Sequence, residues 1–400
     1  MKNNNLQLKR GLKSILITLA FSFLVNHGFT QSVPIDSLFL GQTLPGNTPK
    51  RFPLSVSQGS FAAERIVISN DGKDIYYSEI EAYYPLRGAS IKKYTYSNGK
   101  WIGPTRLFEG LAPALSITGD TMYFERIEPE KNSETYISVK NGAGWGNPKR
   151  ILTGLDVAHY YQFTNNGNYY ISSKSGNGAG LNDWCRLIIK GNDTTALSFG
   201  RPLNTGGENQ DFFVSRDESF MIVTNRPALA ISYKKEDGNW TNPRNFGPEI
   251  NFGLGSWGPW VTPDNKYLFY TTGTKPDYSD VYVYWVRIDA AIDSLKNTNL
   301  SPYIKSLIKP QAAVAGQAFT FTVPDNIFFD DDNKTALIFT AQMIDGKPIP
   351  AWIVFDPSTK TFSGSPVEAG ELTLIIVVTD SENATAYCPL KIIITANTEK

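Results

Sequence analysis

The chain has 400 residues, of which 13% are aromatic and only 19% charged, with 33 glycines and 24 prolines. That balance points to turn-rich β structure in two or three units, and away from a helical bundle or a disordered chain. Thirty-eight basic residues offset thirty-eight acidic ones, so no whole-chain field draws nucleic acid and no nucleic-acid role is expected.

Residues 1–30 read as a secretory signal. Lys2, Lys9, Arg10 and Lys13 precede the apolar stretch from Ile15 to Val25, which is too short for a conventional membrane span. Gly28-Phe29-Thr30 then offers small residues for cleavage before Gln31. An uncleaved anchor is the alternative. No cysteine follows the apolar stretch, which argues against a lipid anchor, and no second long apolar run follows. The mature chain is therefore expected without a transmembrane segment, in a periplasm, at a cell surface or released.

Cys185 and Cys388 are the only cysteines. They read as two separately buried thiols, with an interdomain bridge as the lesser alternative. His27 falls in the signal and leaves His159 as the mature chain's single histidine. Multi-histidine metal sites are thereby excluded, and a Ser-His-Asp apparatus is disfavoured. Beside Tyr160 and Tyr161, His159 reads as a packed strand histidine.

Between residues 31 and 290 the chain repeats itself. Five apolar strands enter polar turns at Asp71, Thr118, Asn166, Asp217 and Asp264, spaced 47 to 51 residues apart. Asp, Asn or Thr at such a turn can bond the amides that follow. The next residue is Gly72, Gly119, Gly167, Glu218 or Asn265, where glycine and asparagine most easily accept positive φ; Glu218 is the poor fit. Trp101-Ile-Gly-Pro104, Trp145-Gly-Asn-Pro148 and Trp240-Thr-Asn-Pro243 close three units, and Phe199-Gly-Arg-Pro202 is a weaker copy. The indole suits the gap between neighbouring sheets, and the proline suits an outer edge strand. Four strands in each unit, repeated five times, predict a five-bladed β-propeller. The fifth unit lacks the closing landmark and runs into the polar, briefly helical stretch 287–299. Pro49-Lys-Arg-Phe52 resembles Pro148-Lys-Arg-Ile151, so residues 49–56 are expected to supply the missing strand.

These motifs, with Leu40-Gly-Gln-Thr-Leu-Pro-Gly-Asn-Thr-Pro49 and Ile231-Ser-Tyr-Lys-Lys-Glu-Asp-Gly-Asn-Trp-Thr-Asn-Pro243, resemble the PD40, or WD40-like and TolB-type, propeller repeats of exported bacterial proteins. The family's Ser-Pro-Asp-Gly turn is approached only at Thr262-Pro263-Asp264.

After a linker at 291–303, residues 304–397 carry short alternating strands such as Ala318–Val323, Leu372–Val378 and Leu390–Thr395. They predict an Ig-like β-sandwich. Gly316-Gln-Ala-Phe319, Phe329-Asp-Asp-Asp332, Pro350-Ala-Trp352, Phe362-Ser-Gly-Ser-Pro366 and Thr379-Asp380 occur in an order that resembles the dystroglycan-type cadherin-like domain. Trp352 reads as its core indole. The resemblance implies Ca²⁺ at Asp330, Asp332 and Asp380. Lys334 opposes that reading, and a solvated acidic turn is the alternative.

Fold alone does not decide function. The expected role is an exported, non-catalytic binding protein whose propeller presents a platform for a protein or glycan. Lys174 and Arg226 fall just after second strands, with Arg126 one place off; they are the candidate funnel cations for an anionic ligand, with solvated loop residues as the favoured alternative. A hydrolase or lyase acting on carbohydrate is the alternative; Glu64, Glu79, Glu125 and Asp211 are available acids, but no spacing marks a pair. A third reading is calcium-dependent adhesion.

Overall fold

The computed structural model describes residues 33–83, 86–127, 133–142, 144–176, 178, 180–191, 193–225, 227–331 and 336–397. The signal segment, Arg226, Asp332 and Lys334 lie outside these residues.

The chain forms antiparallel sheets because apolar, aromatic-rich strands alternate with turns that glycine and Asx residues make easy. Sheet I contains Phe61–Ile68, Asp74–Ile80, Ser90–Ser97 and Lys100–Glu109. Sheet II is built from Leu111–Leu115, Thr121–Ile127 and Ser133–Asn141, edged by Gly144–Trp145 and Lys149–Arg150. Sheet III contains His159–Phe163, Tyr169–Ser173, Asp183–Lys190 and Asp193–Ser198. Sheet IV contains Phe212–Val214, Phe220–Asn225, Ala228–Tyr233 and Arg244–Asn245. Sheet V takes Gly255–Val261, Tyr267–Gly273 and Tyr282–Arg287 from the end of the repeat, and its outer strand from Lys50–Arg51, which pairs with Trp285 and Tyr284. The first strand of each sheet touches the first strand of the next, and that of sheet V returns to sheet I. The result is an all-β, propeller-like arrangement in which the first strands lie against one another.

The turns behave as their chemistry requires. Gly72, Gly119, Gly167, Glu218 and Asn265 all have positive φ, between 58° and 74°. Asp71 Oδ1 accepts from the amide of Lys73 at 3.1 Å, and Asp264 Oδ1 from that of Lys266 at 3.3 Å. Glu218, the misfit by residue type, is held by its neighbours. Its buried carboxylate accepts from Thr164 Oγ1 at 2.5 Å, from Asn168 Nδ2 at 2.6 Å and from Lys234 Nζ. Burial opposes that charge, yet these donors hold the carboxyl down to about 2. Because Thr164 and Asn168 belong to sheet III, a strained turn position also ties two sheets together.

Two of the three repeated tryptophans lie between sheets, while Trp101 packs on Tyr96 of its own sheet and donates to Ser37 O at 2.8 Å. Trp145 of sheet II meets Tyr76 of sheet I edge-on at 6.0 Å, and Trp240 of sheet IV meets Phe199 of sheet III at 6.1 Å.

A helix at Asp289–Lys296 leads out of the propeller and is pinned by Tyr233 Oη donating to Ile292 O at 2.6 Å. Beyond it, two sheets face one another. One contains Gln311–Val314, Thr385–Thr395, Gly370–Thr379 and Ile338–Met343, with a parallel pairing between its first two strands. The other contains Phe319–Thr322, Thr361–Gly364 and Ile353–Asp356. Their inner faces bury Phe362, Leu374, Ile376, Val378, Leu390 and Ile392. The expected core indole is a correction: Trp352 sits in the turn before Ile353–Asp356 and is only half-buried, while Phe362 is the fully buried aromatic. Cys185 and Cys388 are both free and buried.

Candidate functional site

The site arises from a backbone irregularity that recurs around the axis. In sheets I, II, III and V the pairing of the first strand with the second shifts register, after Ala63, Leu111, His159 and Trp257. Each shift contains a left-handed residue: Glu64 at φ 66°, Ala112 at 52°, Tyr160 at 58° and Gly258 at 62°. Bulges of this kind re-aim side chains, and here they collect polar groups at the channel. Gly258 is required at its position, since a Cβ there would lie 2.6 Å from the carbonyl carbon of Glu64.

The collected groups connect all five sheets. Tyr160 Oη of sheet III donates to Glu64 Oε2 of sheet I at 2.6 Å, and its amide donates to Glu125 Oε1 of sheet II at 2.7 Å. His159 lies 2.7 Å from Glu125 Oε2 through Nδ1 and 2.8 Å from Asp211 Oδ1 through Nε2. Asp211, which precedes the first strand of sheet IV, accepts from the amide of Gly258 in sheet V at 2.9 Å. Tyr83 Oη donates to Glu64 Oε1 at 2.7 Å and accepts from Trp257 Nε1 at 2.8 Å, which closes the circuit between sheets I and V. Beneath it the buried Arg65 donates to the carbonyls of Pro113 at 3.1 Å and Ala112 at 2.9 Å.

The electrostatics follow from that geometry. Burial works against a charged His159, but Glu125 and Asp211 on its two nitrogens outweigh burial and raise it to about 10. His159 is therefore an imidazolium at neutral pH, donating to two carboxylates. Burial also works against Asp211, yet the same histidine holds its carboxyl below the usual range. Burial and the nearby Asp211 charge raise Glu64 to about 7, against the opposing hydrogen bonds from Tyr160 and Tyr83. Glu64 therefore exchanges its proton near neutrality.

Above this floor opens a cavity of about 590 Å³ lined by Glu64, His159 and Asp211. Tyr83, Trp257 and Tyr278 form one wall, with ring centroids 5.8 to 6.1 Å apart. Lys174, Lys275 and Glu208 stand around the mouth.

Of the candidate cations, Lys174 lines the cavity. Arg126 instead donates to Glu109 O at 3.0 Å and lies over the Tyr136 ring at 4.6 Å, and Arg226 lies outside the described residues. Glu64, Glu125 and Asp211 are brought together, whereas Glu79 pairs with Lys92 at 2.5 Å. His159 is not a core histidine; it is the link between two acids. No spacing in the sequence marks these residues as partners, because each arrives from a different repeat.

In the sandwich, Asp380 Oδ1 accepts from the amides of Glu382 and Ala384, both at 2.8 Å, and Oδ2 from Asn299 Nδ2 at 2.8 Å. Asp330 is half-buried beside Asp331, and Asp331 faces the propeller. There it accepts from Lys235 Nζ at 2.9 Å and from the Asn242 amide at 3.0 Å, which docks the sandwich on the outer part of sheet IV. Among the described residues no group of three His, Cys, Asp or Glu is arranged to hold a metal ion, and no helix is long and apolar enough to cross a membrane.

No curated protein matches the chain. Solved structures similar to it include TolB from Acinetobacter baumannii, at 16% identity over 56% of this chain and 54% of that one, with a TM-score of 0.38. The extracellular domain of a hybrid two-component system from B. thetaiotaomicron is 11% identical over 89% of this chain and 48% of its own, with a TM-score of 0.36. The periplasmic gluconolactonase of Pseudomonas aeruginosa is 8% identical over 85% of this chain and 87% of its own, with a TM-score of 0.34. The chain thus spans about half the length of the first of these, and all three are distant. Within the chain, residues 301–395 match the family described as "Putative Ig domain", in agreement with the sandwich seen there.

Proposed function

We propose that this is an exported, non-catalytic binding protein, that its five sheets are the blades of one propeller, and that a protein or glycan ligand seats in the funnel mouth. The observation that carries the reading is the wall of Tyr83, Trp257 and Tyr278 facing a cavity of about 590 Å³. Aromatic surface turned into a concave site, with a few convergent polar groups beside it, is the usual source of binding energy and orientation. The non-catalytic part rests on saturation of the acids. Glycoside hydrolysis needs two carboxyl groups free to act on substrate. Here Glu125 and Asp211 are occupied by His159 and by backbone amides, and both oxygens of Glu64 accept phenol hydroxyls. Export rests on the basic and apolar character of residues 1–30.

The test is a thermal-shift panel on the full chain with saccharides, organic acids, amino acids and short peptides. One class should stabilise the wild type, and its affinity should fall at least about tenfold in Trp257→Ala and in Tyr278→Ala, the loss typical of a central aromatic anchor. A stabilising solute indifferent to both substitutions, or a panel with no stabiliser, would count against the reading.

A further inference from the structure

The loop at 274–280, which leaves the second strand of sheet V, brings a cation and a ring to the funnel together. Asp280 closes the loop by accepting from the amides of Thr274 and Lys275, at 3.0 and 2.9 Å, and from Thr274 Oγ1. Inside it the Tyr278 amide donates to Lys275 O at 3.1 Å, so Lys275 and Tyr278 stand at the two ends of one turn. Tyr278 holds φ at 57°, a left-handed conformation that a bulky residue adopts only at an energetic cost. Backbone strain of this kind gathers at ligand clamps. The Tyr278 ring is 38% exposed, Lys275 is exposed, and both line the cavity, so both are open to a ligand.

A second exposed lysine, Lys174, lines the same cavity from the end of the second strand of sheet III. Its amide donates to Asp156 O at 2.9 Å, which fixes its backbone. On the floor the charges answer one another, with His159 met by Glu125 and Asp211. The two ammonium groups are different: no ion pair or hydrogen bond joins either to another of the described residues. The acids of the 274–280 loop are spent on backbone, since Asp277 accepts from the Ser279 amide at 3.0 Å and Asp280 from those of Thr274 and Lys275. Two lysines against Glu208 give this mouth an excess of positive charge.

We infer that the ligand of the funnel is a small organic anion, whose apolar face lies on Trp257 and Tyr278 and whose carboxylate or phosphate is drawn to Lys275 and Lys174. This rests on the funnel being the ligand site. A lysine carries a compact charge on a flexible stem, so two of them can follow an anionic group without a preformed fork. The turn that presents Lys275 beside Tyr278 sets charge next to ring, which is the asymmetry such a ligand carries.

The experiment is isothermal titration of the full chain with glucuronate, phenylacetate and phenyl phosphate, each beside a neutral counterpart: methyl glucoside, phenylacetamide and phenol. At least one anion should bind about tenfold more tightly than its counterpart, and its affinity should weaken as salt is added. Which anion binds separates carboxylate from phosphate and a sugar body from an aromatic one. Lys275→Met and Lys174→Met should each lower that affinity at least about threefold, within the range of a partly exposed ion pair. Both should leave the melting temperature of the free protein unchanged, because neither ammonium has a partner to lose. Equal affinity for anion and counterpart would overturn the assignment, as would an anion preference that survives both substitutions or a lower melting temperature in either variant. If only neutral solutes bind, and do so through Trp257, the anion assignment fails and the funnel reading stands. If nothing binds, both fail.

Discussion

His159→Leu is expected to cost about 3–5 kcal/mol of folding stability, as measured by urea unfolding near pH 7. The size follows from what is left behind. Glu125 is 1% exposed and Asp211 7% exposed, and both lose the cation that now bridges them at 2.7 and 2.8 Å. Breaking a buried ion pair from one side leaves uncompensated charge in a poor dielectric, which is where penalties of this order arise. The loss should also spread. His159 couples sheets II, III and IV, so hydrogen exchange should accelerate in the first strands of all three, and not in sheet III alone. A cost below about 1 kcal/mol would mean that water already screens the two acids.

A second large effect is expected at the other end of the repeat. Phe52 follows the short strand Lys50–Arg51, is 4% exposed, and packs edge-on against Phe269 at 5.1 Å and Trp285 at 5.3 Å. Its amide donates to Val283 O at 2.8 Å. Phe52→Ala should therefore cost about 3–5 kcal/mol through lost burial and the cavity left between these rings. Lys50→Ala, in the same strand but exposed, should cost less than about 0.5 kcal/mol. The contrast separates the packing of Phe52 from the general effect of a substitution in this strand. Weakening it should also expose the edge of Tyr282–Arg287, so concentration-dependent association is expected in Phe52→Ala above its melting onset.

Much of the fold was legible because its rules are local. The turns at Asp71, Asp217 and Asp264 use side chain to amide bonds within two residues, and the following position takes positive φ in every repeat. Those requirements act on neighbours in sequence, so they leave a periodic trace. Pro49-Lys-Arg51 and Pro148-Lys-Arg150 likewise serve as matching outer strands, and the match is visible as a shared triplet. The site left no such trace. Glu64 and Tyr160 reach the network from left-handed bulges in first strands, Glu125 from a second strand and Asp211 from just before sheet IV, and Tyr160 is not a residue type that announces positive φ. Glu64, Tyr160 and Gly258 are also separated by 96 and 98 residues, so their convergence belongs to the ring and not to any one repeat. His159 shows the limit most clearly. Followed by two tyrosines it resembles an apolar strand residue, and only the closed ring places an acid on each of its nitrogens. Trp352 erred in the opposite direction: a tryptophan in a sandwich sequence suggests the core, but its place in a turn leaves Phe362 to fill it.

The most direct test of the axial network is the pH dependence of stability, compared between wild type and His159→Gln. His159 is raised from 6.5 to about 10, so its contribution is complete below pH 6.5 and is lost as pH climbs through 10. Glu64, raised from 4.5 to about 7, favours the fold below pH 4.5 and loses that benefit as pH passes 7. Asp211, held below 3.8, contributes above that value and fades only in stronger acid. Wild-type unfolding free energy should therefore fall between pH 7 and pH 10, by up to about 1.4 kcal/mol per unit. His159→Gln has no histidine proton to lose in that window, so its fall should be markedly shallower. Parallel curves for the two proteins between pH 7 and pH 10 would contradict a histidine cation joining the sheets at the propeller axis.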